Sequence, residues 1–168
     1  MKGLVHIYEG TGKGKSTAGV GLTIRCAGNG FPVVYSQFLK DGTTGEMNIL
    51  RKIPNITVLV EEHHFGFSFL MTPEEKVEAK AAYTALFEKV KAAAVEQNAR
   101  LLVMDEMLDL CNAELIDTAM VVDFLKNRPE QVDGGMSGGF PIQVLVDLAD
   151  FLTYMNGGMH RFDKGVPA

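Results

Sequence analysis

Short, apolar, β-rich runs alternate with helix-like segments. That pattern predicts an α/β fold, a mostly parallel sheet with helices on both faces. Two junctions support it. The apolar run "LVHIY", Leu4 to Tyr8, passes through a glycine-rich loop directly into a helical stretch. The apolar run "LLVM", Leu101 to Met104, ends directly in Asp105-Glu106. In such sheets ligands bind beyond the carboxyl ends of the strands, so both junctions are expected on one rim. The 168 residues suit one domain, 1–168, with a full hydrophobic core.

Taken in order, "LVHIY" reads as a buried strand. Lys15 to Ala27 reads as a helix, closed by "GNG" at Gly28 to Gly30. "VVYSQF", Val33 to Phe38, is a second strand, and "GTTGEMNILRK" gives a loop and a short helix. "ITVLV", Ile56 to Val60, is a third strand. The clearest helix follows Thr72, where Pro73 suits the first turn and Glu75 completes a capping box. Tyr83, Phe87, Val90 and Ala94 fall on one face of it. A further helix runs from about Asp117 to Asn127 and stops at Pro129. The stretch "QVDGGMSGGF", Gln131 to Phe140, stands where a last core strand is expected. Its glycines make a poor strand, so either a weak strand or a flexible glycine-rich loop is expected. "IQVLVDLADFL" then reads as an apolar helix.

Charge and cysteine usage narrow the function. Net charge is −5 and no long basic run exists, which argues against nucleic acid as a partner. Cys26 and Cys111 form no C-x-x-C pair and suggest a reducing compartment. No signal peptide and no run of membrane-spanning length is visible. A soluble cytoplasmic protein without membrane contact is expected.

The first junction carries the chemistry. "YEGTGKGKST", Tyr8 to Thr17, departs from G-x-x-x-x-G-K-[ST], because Glu9 occupies the first glycine position and Gly10 comes one residue late. Strand before and helix after are the context in which such a loop cradles phosphate. Small residues let backbone amides converge on phosphate oxygens at a helix N-terminus. Gly10, Thr11, Gly12, Lys13, Gly14, Lys15, Ser16 and Thr17 are therefore candidate nucleotide-binding residues. Lys15 can neutralise terminal phosphate charge, and Lys13 adds a second cation. Ser16 can offer a hydroxyl to Mg²⁺, and the Asp105-Glu106 pair can hold or orient that ion. The segment "HHFGFSF", His63 to Phe69, carries three aromatic rings. Composition alone favours a flap packed on the core. An aromatic platform for a large flat ligand is the alternative. His63 and His64 are expected to be exposed, and Met104, Met107 and Met120 to fill the core.

Several segments, in order, resemble the P-loop ATP:corrinoid adenosyltransferase family, over about Val5 to Pro167. "GTGKGKST" is similar to that family's shortened phosphate loop, "GFSF" to its G-F-T-W, and "VMDEM" to its V-L-D-E. "QFLKDGTTGEMNIL", "NRP", "DLADFLTYM" and "HRFDKGVPA" are similar to further family segments. The resemblance implies a P-loop NTPase-like, RecA-like sheet. It implies transfer of the 5′-deoxyadenosyl group of ATP to Co(I) of a corrinoid, with release of triphosphate. ATP and corrinoid would be substrates, Mg²⁺ or Mn²⁺ the cofactor, and a flavoprotein or flavin the reductant. A homodimer is implied as well. Co(I) carries no proton to remove, so Glu106 is read as a metal ligand with Ser16 rather than as a base. Phe67 and Phe69 match the aromatic pair against the lower corrin face. Arg25 matches an arginine near the nucleotide, and His160 a histidine of the C-terminal motif. Two positions depart from the family: Phe69 stands in place of tryptophan, and Gly139 in place of an arginine expected on triphosphate. A nucleoside kinase-like P-loop phosphotransferase and a non-catalytic nucleotide- or corrinoid-binding homologue are the alternatives.

Overall fold

The computed structural model describes residues 2–158. Twelve elements build it: β1 (Val5–Glu9), α1 (Lys15–Gly28), β2 (Val33–Gln37), α2 (Met47–Leu50), β3 (Ile56–Val60), α3 (Pro73–Glu96), β4 (Leu101–Asp105), α4 (Met107–Asn112), α5 (Thr118–Asn127), β5 (Asp133–Gly138), α6 (Gln143–Val146) and β6 (Phe151–Tyr154). A 3₁₀ turn spans Ser68–Leu70. The strands form one six-stranded sheet in the order β3-β2-β4-β5-β1-β6. Every pairing is parallel.

β2 and β4 are buried along their whole length, so each begins as a continuous apolar run rather than an alternating one, with buried polar residues, Ser36, Gln37 and Asp105, at the carboxyl ends. On one face α1 and α2 cover Val33, Tyr35, Leu101 and Val103. On the other, α3, α4 and α5 cover Val34, Leu102 and Met104 with Phe87, Leu108 and Leu125. α3 begins as its sequence dictates. Glu75 N–H donates to Thr72 Oγ1 at 3.1 Å, and Thr72 N–H donates to Glu75 Oε2 at 2.7 Å. Tyr83, Phe87, Val90 and Ala94 are all buried. Met104 and Met107 lie in the core and Met120 packs against it.

The glycine-rich stretch 133–138 is a strand, and it lies between β4 and β1. Gly138, at its end, reflects crowding. A Cβ on Gly138 would lie 2.5 Å from Leu108 Cβ and 3.0 Å from the Asp109 amide nitrogen. Only a residue without a side chain lets α4 lie this close.

The expected apolar helix over 142–152 is corrected. The chain makes one helical turn, α6, and then enters the edge strand β6. Asp150 forces the change. Its carboxylate accepts from Val5 N–H at 2.8 Å, and its own amide donates to the Val5 carbonyl at 2.9 Å. This clamp starts the β1–β6 ladder, in which Phe151 pairs with His6 and stacks on its ring at 5.0 Å. Pairing with β1 overrides the local helical pattern, and the aromatic and β-branched residues of "FLTY" tolerate it.

Candidate active site

β1 delivers the glycine loop to the carboxyl-end rim of the sheet. Gly10 and Gly14 adopt φ of 122° and 107°, which strongly favour glycine. A Cβ on Gly10 or Gly12 would also strike the Met155 carbonyl oxygen, at 2.5 and 2.6 Å. The chain after β6 therefore braces the loop. Gly12 N–H donates to the Met155 carbonyl at 2.6 Å, and Met155 N–H donates to the Glu9 carbonyl at 2.7 Å. Among the described residues, the amides of Lys13, Gly14, Lys15 and Ser16 donate to no protein group. They remain available to an anion at the N-terminus of α1. Lys15 Nζ donates to the Gly12 carbonyl at 2.7 Å, folded back over its own loop. Glu9, where the standard pattern has glycine, is 2% exposed and its Oε2 has no partner among the described residues. Burial pushes its carboxyl above the usual range.

Residues Thr11 to Thr17 and Glu106 line one cavity of about 310 Å³. Glu106 of the acid pair thus faces the loop across a shared space. Its members differ. Asp105, the last residue of β4, is 1% exposed and fully engaged. Ser137 Oγ donates to its Oδ1 at 2.6 Å, while Lys40 Nζ and Gln37 Nε2 donate to its Oδ2 at 2.9 and 3.4 Å. Glu106 takes a left-handed backbone, φ 64°, which costs a non-glycine residue on the order of 1 kcal/mol. Ser137 steadies that turn by accepting the Glu106 amide at 2.9 Å.

Lys40 ties the site together from the segment after β2. Its ammonium donates to Ser16 Oγ at 3.2 Å and lies 3.4 Å from Glu106 Oε1. Burial works against its charge, but Asp105 and Glu106 prevail and its pKa is raised. Burial also pushes the Glu106 carboxyl up to about 7, with Lys40 opposing and Asp105 and Asp109 reinforcing.

Among the described residues no group of three His, Cys, Asp or Glu side chains is placed to hold a metal. Mg²⁺ needs fewer, because it keeps waters and takes one or two carboxylates plus substrate phosphates. Ser16 Oγ and Glu106 Oε1 flank one point, now held by an ammonium, and so fit such an ion.

Phe67 and Phe69 sit between β3 and α3, with rings stacked at 5.4 Å and 19°. They are 68% and 78% exposed, so they are not the packed flap that composition favoured. Phe65 is the anchor instead, against Tyr83 at 5.7 Å. His63 and His64 are exposed, and His64 Nδ1 lies 4.0 Å from Asp41 Oδ2. The aromatic segment therefore borders the loop that carries Lys40.

Arg25 is not brought to the phosphate loop. It occupies the last turn of α1, ten residues beyond Lys15, or about 15 Å along the axis. It lines a separate pocket with His6, Cys26, Phe31, Arg100 and Asp133. His160 lies outside the described residues. Gly139 offers only its amide, which donates to both Asp109 carboxylate oxygens at 2.9 Å. Sequence reasoning missed Lys40 and Ser137 as site residues. A signal existed for both, since each stands near the carboxyl end of a core strand.

Solved structures share the fold. The cytoplasmic domain of EssC aligns with a TM-score of 0.54 at 15% identity, covering 99% of this chain and 35% of that one. EssC (ATPases 2 and 3) from Geobacillus thermodenitrificans aligns at 0.53 and 14% identity, covering 96% of this chain and 34% of that one. Sequence relatives cover most of both chains. A corrinoid adenosyltransferase of Sinorhizobium sp is 30% identical over 99% of this chain and 78% of its own. Those of Escherichia coli K12 and Salmonella typhimurium LT2 are 27% and 28% identical, each over 99% of this chain and 83% of their own. The family described as ATP:corrinoid adenosyltransferase BtuR/CobO/CobP matches residues 1–168, and the chain belongs to it.

Proposed function

We propose that this site transfers the 5′-deoxyadenosyl group of ATP to Co(I) of a corrinoid, in adenosylcobalamin biosynthesis or salvage. The Co–C5′ bond forms with the cobalt electron pair. The C5′–O5′ bond breaks, and its pair leaves on triphosphate. The observation that carries the reading is the uncommitted phosphate loop, bordered by Glu106 and set on the same rim as an exposed aromatic pair.

The chain's residues divide the work. The amides of Lys13 to Ser16 take phosphate oxygens, and Lys15 swings from the Gly12 carbonyl to meet charge growing on the leaving group. Lys13 supplements it from the exposed side of the loop. Thr11 and Thr17 line the same cavity. Ser16 and Glu106 would hold a Mg²⁺ or Mn²⁺ ion, which would supply charge neutralisation for the triphosphate. No side chain need act as base, because Co(I) has no proton to lose. Phe67 and Phe69 offer an apolar surface to the corrin, which disfavours a polar lower axial ligand. An electron-donating flavoprotein or flavin would supply the Co(I) state. A homodimer in the cytoplasm completes the proposal. No helix among the described residues is long and apolar enough to cross a membrane.

Gly139 supports a second reading, ligand binding without turnover. Asp109 carboxylate oxygens lie 3.3 and 3.9 Å from where a Cβ of residue 139 would be, so an acid rather than a cation occupies that spot. One assay separates the two. ATP, Mg²⁺ and chemically reduced cob(I)alamin are supplied, and the visible spectrum and phosphate product are followed. Adenosylcobalamin with triphosphate is expected. Bound ligands with no product would establish the second reading, and ADP formed with a nucleoside acceptor would overturn both.

A further inference from the structure

Lys40 occupies the point where the loop and the acid pair meet. Its Nζ is 3.2 Å from Ser16 Oγ, 2.9 Å from Asp105 Oδ2 and 3.4 Å from Glu106 Oε1. A Mg²⁺ ion bound to Ser16 and Glu106 would lie about 2.1 Å from each oxygen. To reach both oxygens it would enter the space beside the ammonium, which now lies 3.2 and 3.4 Å from them. Two cations cannot share that place.

We propose that Lys40 is a tethered placeholder for the divalent cation: it neutralises Asp105 and Glu106 in the nucleotide-free protein and withdraws when the cation enters with ATP. This rests on the reading that Ser16 and Glu106 hold the cation. Among the described residues, Lys40 is the only ion-pair partner of either acid. Without it, adjacent acids, one of them fully buried, would face each other uncompensated. A lysine suits a partner that must leave, since it is a compact charge on a flexible stem. The triphosphate gives it a destination. The cation alone offers none, so cation without nucleotide should bind poorly. Withdrawal also has a path to the second substrate site. Asp41, the next residue, lies 4.0 Å from His64 in the segment that carries Phe67 and Phe69.

Binding of Mn²⁺ alone to the full chain, read from loss of the free-ion paramagnetic resonance signal, tests this without turnover. Lys40→Met should bind Mn²⁺ alone roughly tenfold more tightly than wild type, or better. Mg²⁺ alone should raise its melting temperature and leave wild type unmoved. Equal or weaker Mn²⁺ binding by Lys40→Met overturns the placeholder. Should Lys40→Met fail to fold, Lys40→Arg decides. Its permanent, bulkier cation should weaken binding of Mn²⁺ with ATP while leaving metal-free ATP binding intact. Unchanged Mn²⁺-ATP affinity in Lys40→Arg overturns the idea. The two layers are separable. Tight Mn²⁺ binding that survives in Lys40→Met/Glu106→Gln removes the cation from Glu106 and sinks the underlying site reading. If Glu106→Gln weakens Mn²⁺-ATP binding but Lys40→Met changes nothing, the site stands and the placeholder falls.

Discussion

Ser137 donates a 2.6 Å hydrogen bond from its hydroxyl to Asp105 Oδ1 across the β4–β5 boundary. Ser137 Oγ in turn accepts the Glu106 amide at 2.9 Å. One buried hydroxyl thus holds both members of the acid pair. Ser137→Ala leaves a buried carboxylate oxygen and an amide without partners, at a cost of about 1–3 kcal/mol. Denaturant unfolding should show that loss, with weaker Mg²⁺-ATP binding beside it. Unchanged stability would mean that the pair is held by other contacts.

Two glycines of β5 should respond in opposite ways. A Cβ on Gly135 meets Val103 Cγ2 at an ordinary 3.5 Å, so Gly135→Ala should be near neutral. Gly138→Ala drives a methyl to 2.5 Å from Leu108 Cβ and should cost on the order of 1–3 kcal/mol by overpacking. Thermal melts of the two variants side by side check the contrast. Equal shifts would remove α4 crowding as the reason for this strand's composition.

Glu106 should make metal-free stability depend on pH. Its carboxyl is pushed up to about 7 from an ordinary 4.5, so the native state holds an extra proton between those values. The stabilising contribution is full below about 4.5 and is lost as pH rises through about 7. Melting temperature in chelator should therefore carry a falling component over that window, absent in Glu106→Gln. Cation affinity should run the other way and rise through about 7, because the ion must displace that proton. A wild-type profile that matches Glu106→Gln would contradict the assignment.

Lys15→Ala should fold normally and fail in turnover. Among the described residues the side chain hydrogen-bonds only to its own loop, through the Gly12 carbonyl, so little stability is at stake. Loss of a cation aimed at the leaving group should lower kcat by roughly a hundredfold or more. Steady-state assays with pre-reduced Co(I) measure it directly, and retained kcat would contradict the loop assignment.

Phe67→Ala and Phe69→Ala should also separate stability from activity. Both rings are more than two-thirds exposed, so unfolding free energy should shift by no more than about 0.5 kcal/mol. Turnover starting from Co(II) should fall much more than turnover starting from Co(I). Equal losses from the two states would argue against an axial-ligand role.

What the sequence determined by itself was local. The strand–loop–helix at Val5 to Gly28, the capping box at Thr72 and the buried face of α3 each depend on contacts among near neighbours. Backbone geometry at Gly10 and Gly14, or the spacing of apolar residues on a helix, is written in such short stretches. The placement of loop and acid pair on one rim followed from strand direction alone. Tertiary structure decided the rest. β5 is a strand because Gly134 pairs with Val5 and Leu102, both more than thirty residues earlier in the chain. Residues 151–154 leave a helical pattern because Asp150 is clamped to Val5. Arg25 matched a motif but lies one helix length from the loop, while Lys40, not singled out within its segment, reaches Ser16 and the acid pair. Pairing and electrostatic contact across the chain depend on distance in space, and separation in sequence does not encode that distance.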